Sequence, residues 1–90
     1  MTPTDITPEA LRQALAQGSA RPADMIDLES SFAANDFDSI ELLAMRLELE
    51  DVFGLSIPPT AFDTLVQDMN RQGSALNALL PYLASLRNAG

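Results

Sequence analysis

FDSIELLAMRLELEDVFG, residues 37–54, is the stretch of sequence that most strongly determines the fold. It predicts a helix over residues 39–53 that Gly54 ends, because glycine readily takes the left-handed conformation that follows a helix. At the other end, Asp38 is a favoured N-cap residue. Glu41 is at the third helical position, where its side chain can complete a capping box. The stretch therefore predicts one well-defined helix of about four turns.

This helix carries apolar side chains on two opposite faces when its residues are placed at 100° steps. One face is predicted to contact the core and consists of Leu42, Met45, Leu49, Val52 and Phe53. The other, which we call the apolar strip, consists of Ile40, Leu43 and Leu47. Acids border the strip, and this acidic rim consists of Glu41, Glu48, Glu50 and Asp51. The strip is either buried in the centre of a bundle or exposed for docking; the acids favour exposure, because burial would desolvate them.

The rest of the chain is also predicted to be helical, with no convincing strand alternation. The predicted order starts with a helix from Pro8 that ends at Gly18, a long loop over residues 18–38, and the helix over 39–53. An extended segment over 55–59 and a short helix over about 61–69 follow. The last helix is predicted to run from a cap at Ser74 to about Leu86. Pro81 is expected to kink the last helix or to delay its start. The chain is thus predicted to be one all-α domain, residues 1–90, with three main helices and one short helix.

Composition excludes several classes of function. The 90 residues include 13 Asp+Glu against 5 Lys+Arg, a net charge of −8, and no Lys, His, Cys or Trp. Imidazole, thiol and lysine chemistry are therefore impossible, as are zinc sites built on His or Cys. So acidic a chain would repel nucleic acid and anionic membranes, and residues 1–11 do not resemble a signal peptide. We expect a cytoplasmic, monomeric protein that is not an enzyme and has no metal of its own.

Ser39 is the residue in this stretch best suited to modification. As the first residue of a helix it lies at the positive end of the helix dipole, where a phosphate is favoured. Asp36, Asp38 and Glu41 surround it and suit a divalent cation that arrives with a phosphate donor. No His or Lys is present to remove its proton, so Ser39 is expected to be an acceptor for another enzyme. The alternative is that the motif only starts a helix.

The sequence resembles the acyl carrier protein family from about Leu11 to Pro58. The matching residues are Phe32, residues 37–43, residues 49–55, and Ile57 with Pro58. The family carries an Asp-Ser-Leu motif at the start of its second helix, and here Asp38, Ser39 and Ile40 occupy those positions. The resemblance implies a four-helix bundle with a long loop between its first two helices.

The resemblance also implies a cofactor and partners. Ser39 would carry 4′-phosphopantetheine, transferred from coenzyme A by a phosphopantetheinyl transferase with Mg²⁺, and Asp38 would help to position the metal and the donor. The arm would supply the acyl-carrying thiol that this cysteine-free chain lacks. Acyl-loading and acyl-processing enzymes would dock through basic patches on the helix over 39–53, at the apolar strip and the acidic rim.

Departures from the family pattern leave the cargo open. Asp36 replaces a usual glycine, Ala44 a usual acid and Arg46 a usual apolar residue, while the segment over residues 63–74 is longer. These changes suggest a specialised carrier more than the general fatty-acid one. The pathway stays open among fatty acid, polyketide and secondary metabolite biosynthesis. The absence of a Gly-Gly pair before Ser39 weighs against a peptidyl carrier. Two alternatives remain: an aminoacyl or peptidyl carrier, and an interaction module of the same fold that is never pantetheinylated.

Overall fold

A computed structural model of the protein describes residues 4–89. The described residues form helices and turns and contain no strand. The helices are α1 (Pro8–Ser19), α2 (Phe32–Asn35), α3 (Ser39–Phe53), α4 (Pro59–Gln72) and α5 (Leu79–Ala89), with 3₁₀ turns at Ala23–Met25 and Leu76–Ala78. The all-α prediction is confirmed, with four main helices and the single-turn helix α2.

The helix ends follow the local sequence signals. The Thr7 hydroxyl accepts a hydrogen bond from the Ala10 N–H at 3.2 Å, and Pro8 begins α1, where a missing N–H costs nothing. Gly54 and Gly73 end α3 and α4 with positive φ angles of 64° and 69°. A glycine accepts this left-handed conformation without the steric cost of a Cβ atom.

Two predicted elements differ from the structure. A helix forms over the predicted residues 61–69, but it is not short, because α4 has 14 residues. It begins at Pro59, because a proline is tolerated at the first helical position, and it continues to Gln72, where Gly73 ends it in the left-handed conformation. The short helix is instead α2, within the predicted loop; the Ser31 hydroxyl caps it by accepting from the Ala34 N–H at 3.0 Å.

The start of the last helix also differs. Ser74 does not cap it, because the 3₁₀ turn comes first and Ala75, at that turn's cap position, has no side-chain bond. Pro81 is the third residue of α5 and so delays the helix start, one of its two predicted effects. A proline is tolerated there because the first-turn N–H groups have no helical acceptor.

Gly18 does not end α1, contrary to prediction. The helix continues to Ser19, and Ala20 ends it with a φ of 57°. Gly18 instead lies where α1 crosses α3: a Cβ atom built on it would be 2.5 Å from the Met45 Cα atom. The absence of a side chain at Gly18 therefore allows the two helix backbones to pack directly together.

The core is formed by one face of each main helix together with the long connection between α1 and α3. Met45, Leu49 and Phe53 of α3 are fully buried, and Leu42 and Val52 pack at the edge of the core, as the sequence predicts. Phe32 packs edge-to-face on Phe62 with ring centroids 6.3 Å apart, which anchors α2 against α4. Over residues 4–89 no helix is both long enough and apolar enough to cross a membrane.

Candidate functional site

Ser39 is exposed at the start of α3, and the predicted capping box surrounds it. The Glu41 N–H donates to Asp38 Oδ1 at 2.7 Å, and the Asp38 N–H donates to Glu41 Oε1 at 3.0 Å. The two bonds occupy the side chains of Asp38 and Glu41, and Ser39 itself lies exposed at the surface. The site therefore presents a hydroxyl at the positive end of a capped helix dipole.

The turn before Ser39 is held in a conformation that few residues adopt. Asp36 ends α2 with φ 58° and ψ 51°, in the left-handed region, and its N–H donates to Phe32 O and Ala33 O, both at 3.1 Å. Aspartate adopts this region at a cost in free energy, because its Cβ atom is crowded there, whereas glycine has no Cβ atom. The chain thereby passes from α2 into α3 within three residues, so the conformation of this turn sets the direction in which α3 begins.

Arg21 binds this turn from the loop that follows α1. Its Nε atom donates to Glu41 Oε2 at 2.7 Å and Nη2 donates to Glu41 Oε1 at 2.8 Å. Nη1 and Nη2 also donate to the backbone carbonyls of Asn35 and Asp36 at 2.7 and 2.8 Å. The guanidinium carbon lies 4.6 Å from the centre of the Phe37 ring. Sequence reasoning missed Arg21, because its partners are 14–20 residues away along the chain.

The ion pair changes the titration of both partners. The hydrogen bond from Arg21 is the main cause that lowers the pKa of Glu41, and the bond from the Asp38 N–H lowers it further. The same pair raises the pKa of Arg21. Glu41 therefore keeps its charge under more acidic conditions than an isolated glutamate does.

We expect the stabilisation from this pair to be present at neutral pH and to be lost on acidification. The pKa of Glu41 is lowered in the folded state, whereas in the unfolded chain it is about 4.3. Stability from the carboxylate is therefore complete above that value and decreases as the pH falls through the lowered pKa. The difference in Tm between the wild type and Glu41→Gln should shrink as the pH falls below about 4. Asp51→Asn, which removes another acid of α3, is the matched control. If the difference in Tm between the wild type and Glu41→Gln does not change with pH, this prediction is contradicted.

The acids near Ser39 do not form a metal site of their own. Within residues 4–89 no group of three or more acidic side chains is arranged to hold a metal ion. Asp38 and Glu41 accept from each other's backbone, and Glu41 also pairs with Arg21. A cation at Ser39 would therefore depend on ligands that another molecule brings.

The apolar strip is exposed. Ile40, Leu43 and Leu47 are 78%, 53% and 51% exposed, whereas Met45 and Leu49 on the opposite face are fully buried. Of the two alternatives from the sequence, burial in the centre of the bundle is wrong. Three large apolar side chains on one exposed helix face form the kind of patch that marks an interaction surface.

The acidic rim is smaller than predicted. Glu41 is held by Arg21, and Glu50 faces the segment that leads into α4. Glu50 Oε2 accepts from the Ile57 N–H at 2.7 Å, while Arg46 Nη1 donates to Glu50 Oε1 at 3.2 Å and to Ile57 O at 2.8 Å. These bonds satisfy the backbone of Ile57, which is fully buried. Of the other two acids in the predicted rim, Asp51 is exposed and Glu48 is half-buried beside α1.

A groove of about 240 Å³ opens beside Ser39, between α3 and the start of α4. Its walls include Leu42, Leu43 and Phe62, with Arg46 and Asp63 supplying charged groups. The groove offers a mixed apolar and polar surface directly next to the Ser39 hydroxyl. The space and the positive helix end at Ser39 fit a bulky phosphate-linked substituent at this position.

A comparison with known families identifies the chain. The family model described as "Phosphopantetheine attachment site" (PP-binding) matches residues 9–67, more than half of the chain. No match was found among curated proteins or among solved structures. Members of such a family are non-catalytic carrier domains that bear a 4′-phosphopantetheine group and rely on a phosphopantetheinyl transferase and partner enzymes. The matched segment includes the capped start of α3 and most of the bundle, and the chain belongs to the phosphopantetheine attachment-site family.

Proposed function

We propose that this protein is an acyl carrier protein with Ser39 as the attachment residue of its 4′-phosphopantetheine arm. The single observation that supports this choice is the exposed Ser39 hydroxyl at the capped N-terminus of α3, inside the segment matched by the family model. The arm supplies a thiol, which allows an acid to be carried as a thioester. The chain itself positions the hydroxyl, and its lack of His and Lys leaves removal of the hydroxyl proton to the transferase.

The proposed cargo is an acyl group rather than an aminoacyl or peptidyl group. The residues before the motif are Asn35 and Asp36, where a peptidyl carrier resemblance would call for a Gly-Gly pair. The groove beside Ser39 has Leu42, Leu43 and Phe62 among its walls, which suits an apolar chain segment. These features support an acyl cargo, whose identity is set by the enzyme that loads it.

The proposed docking surface is the apolar strip with Glu48 and Asp51 beside it. The strip adjoins Ser39 on the same helix, so a partner bound there would have the arm within reach. Enzymes with an apolar patch flanked by basic residues match this surface in both polarity and charge. The partners proposed are the transferase and the acyl-loading and acyl-processing enzymes.

The attachment residue is tested by Ser39→Ala. Purified protein incubated with coenzyme A, Mg²⁺ and a broad-specificity transferase should gain one phosphopantetheinyl unit in intact-mass spectrometry. Ser39→Ala should fold normally, since alanine is a good helix former, and should gain none. Ser56→Ala, which alters another exposed serine outside a helix, should be modified as fully as the wild type.

Two outcomes would contradict the proposal. A gain of mass in Ser39→Ala would move the site to another serine, such as Ser31 or Ser74, and no gain in the wild type would favour the unmodified interaction module. The cargo is tested on protein recovered from its native cells, because hydroxylamine releases thioester-bound acids as hydroxamates. A hydroxamate with an α-amino group would contradict an acyl cargo and favour the aminoacyl carrier.

A further inference from the structure

We propose that Arg21 is a positioning residue for Ser39: it holds the end of α2 and the start of α3 in the arrangement that places the Ser39 hydroxyl for transfer of the arm. The inference rests on the proposed function in one respect, that Ser39 is the attachment residue. Arg21 does not touch the hydroxyl. It acts through the turn that presents it.

The contacts of Arg21 join the end of α2 directly to the first turn of α3. Arg21 binds the backbone carbonyls of Asn35 and Asp36 at the end of α2. Carbonyl groups at the end of a helix have no N–H donor within that helix. The carboxylate that Arg21 binds belongs to Glu41, in the first turn of α3. One guanidinium group therefore fixes the last residue of one helix relative to the first turn of the next.

The turn needs such support because of its conformation. Asp36 is in the left-handed region with φ 58°, which a non-glycine residue keeps only when its surroundings enforce it. Only Phe37 and Asp38 separate Asp36 from Ser39, so a change in the turn is passed directly to the hydroxyl. Phe37 is itself fixed on two sides, by the Arg21 guanidinium at 4.6 Å and by an edge-to-face contact with Phe32 at 6.3 Å.

The planar guanidinium is essential to this arrangement. Its three nitrogens donate to four acceptor atoms lying in different directions. A lysine ammonium is a point charge that lacks this fixed fork, so Lys at this position would keep the charge and lose the geometry. Charge and geometry can therefore be separated by substitution.

The first test measures transfer of the arm to Arg21→Gln under steady-state conditions, with coenzyme A, Mg²⁺ and the transferase. We expect kcat to fall at least about ten-fold while KM stays within about two-fold, because misplacing a reacting group by about 1 Å lowers the rate of the chemical step. Arg21→Lys should recover little of the loss. Arg71→Gln is the matched control, because it removes an exposed guanidinium that pairs with Asp68 on α4, and it should leave both constants unchanged.

The second test separates positioning from general stability and needs no transferase. Amide hydrogen exchange in Arg21→Gln should be faster at Asp38 and Glu41, whereas the amides of Met45 and Leu49 in the same helix should keep their protection. Should Arg21→Gln fail to fold, Glu41→Gln takes its place, since glutamine preserves the capping box and removes the ionic pair.

The proposal is overturned if kcat of Arg21→Gln stays within two-fold of the wild type, if Arg71→Gln loses as much, or if exchange speeds up equally along all of α3. Failure of the proposed function gives a different result. In that case Ser39→Ala still accepts the arm in the same assay. Amide exchange at Asp38 and Glu41 in Arg21→Gln still shows whether Arg21 holds the turn.

Discussion

Replacing Gly18 with alanine is expected to lower the free energy of unfolding by about 2–3 kcal/mol, although Gly18 is within a helix. In an ordinary helix interior the same change would stabilise the fold by about 1 kcal/mol, because alanine has the higher helix propensity. Here the new Cβ atom would lie 2.5 Å from Met45 Cα, 2.9 Å from Met45 N and 3.0 Å from Ala44 O. All three atoms are backbone, so α1 and α3 must move apart instead of a side chain rotating away.

Gly73→Ala is the matched control for this prediction. Gly73 has a φ of 69° and no atom within 4 Å of a built Cβ, so alanine there suffers backbone strain without a clash. Its cost should be about 1–2 kcal/mol. Thermal or urea unfolding of both variants measures the two costs, and at about 4–8 °C per kcal/mol the expected losses of Tm are well resolved. A Gly18→Ala protein as stable as the wild type would show that the two helices do not pack this closely.

Replacing Leu47 with glutamine is expected to weaken partner binding by about 2 kcal/mol, roughly 30-fold, while changing stability by less than about 0.5 kcal/mol. Leu47 is 51% exposed in the free protein, so a polar side chain there loses few native contacts. In the proposed complex the leucine would lie near the middle of the docking surface, between Leu43 on one side and the acids Glu48 and Asp51 on the other. A central, fully desolvated position is where truncation costs most.

Two matched substitutions make the result specific. Leu49→Gln alters the fully buried leucine two residues further on and should unfold or strongly destabilise the protein, because it buries an unpaired amide. Met25→Gln alters an exposed apolar side chain outside α3 and should leave binding unchanged. Binding to a cognate loading enzyme can be followed by calorimetry and stability by thermal unfolding. A Leu47→Gln protein that binds normally would remove the strip from the docking surface.

The features that the sequence predicted well depend on near neighbours in the chain. The capping box of Asp38 and Glu41 spans four residues, and the exposed and buried faces of α3 follow from its helical period. Such features are decided by local sterics and hydrogen bonding, so a sequence contains enough information to locate them.

The features that sequence reasoning missed depend on tertiary contacts. The Arg21 and Glu41 side chains are 20 residues apart in sequence, and no periodicity connects a loop arginine with a helix glutamate. The helical wheel places Glu50 on the acidic rim, but its carboxylate accepts a hydrogen bond from the buried Ile57 N–H. The need of that N–H for an acceptor follows from its burial, which the sequence does not show. Gly18 was read as a stop signal because its close approach to Met45 depends on how α1 crosses α3.

The internal pairing of Glu41 and Glu50 has a consequence for the rate at which a partner finds α3. Each carboxylate lies against a guanidinium, at 2.7 Å from Arg21 and 3.2 Å from Arg46, so the far field of each is close to that of a neutral dipole. On this face Asp51 and Glu48 are left to attract a basic partner over the Debye length of about 8 Å at physiological ionic strength. Glu41 and Glu50 should therefore add little to the charge-driven rate of capture, and the lifetime of a complex should depend mainly on apolar contact with α3.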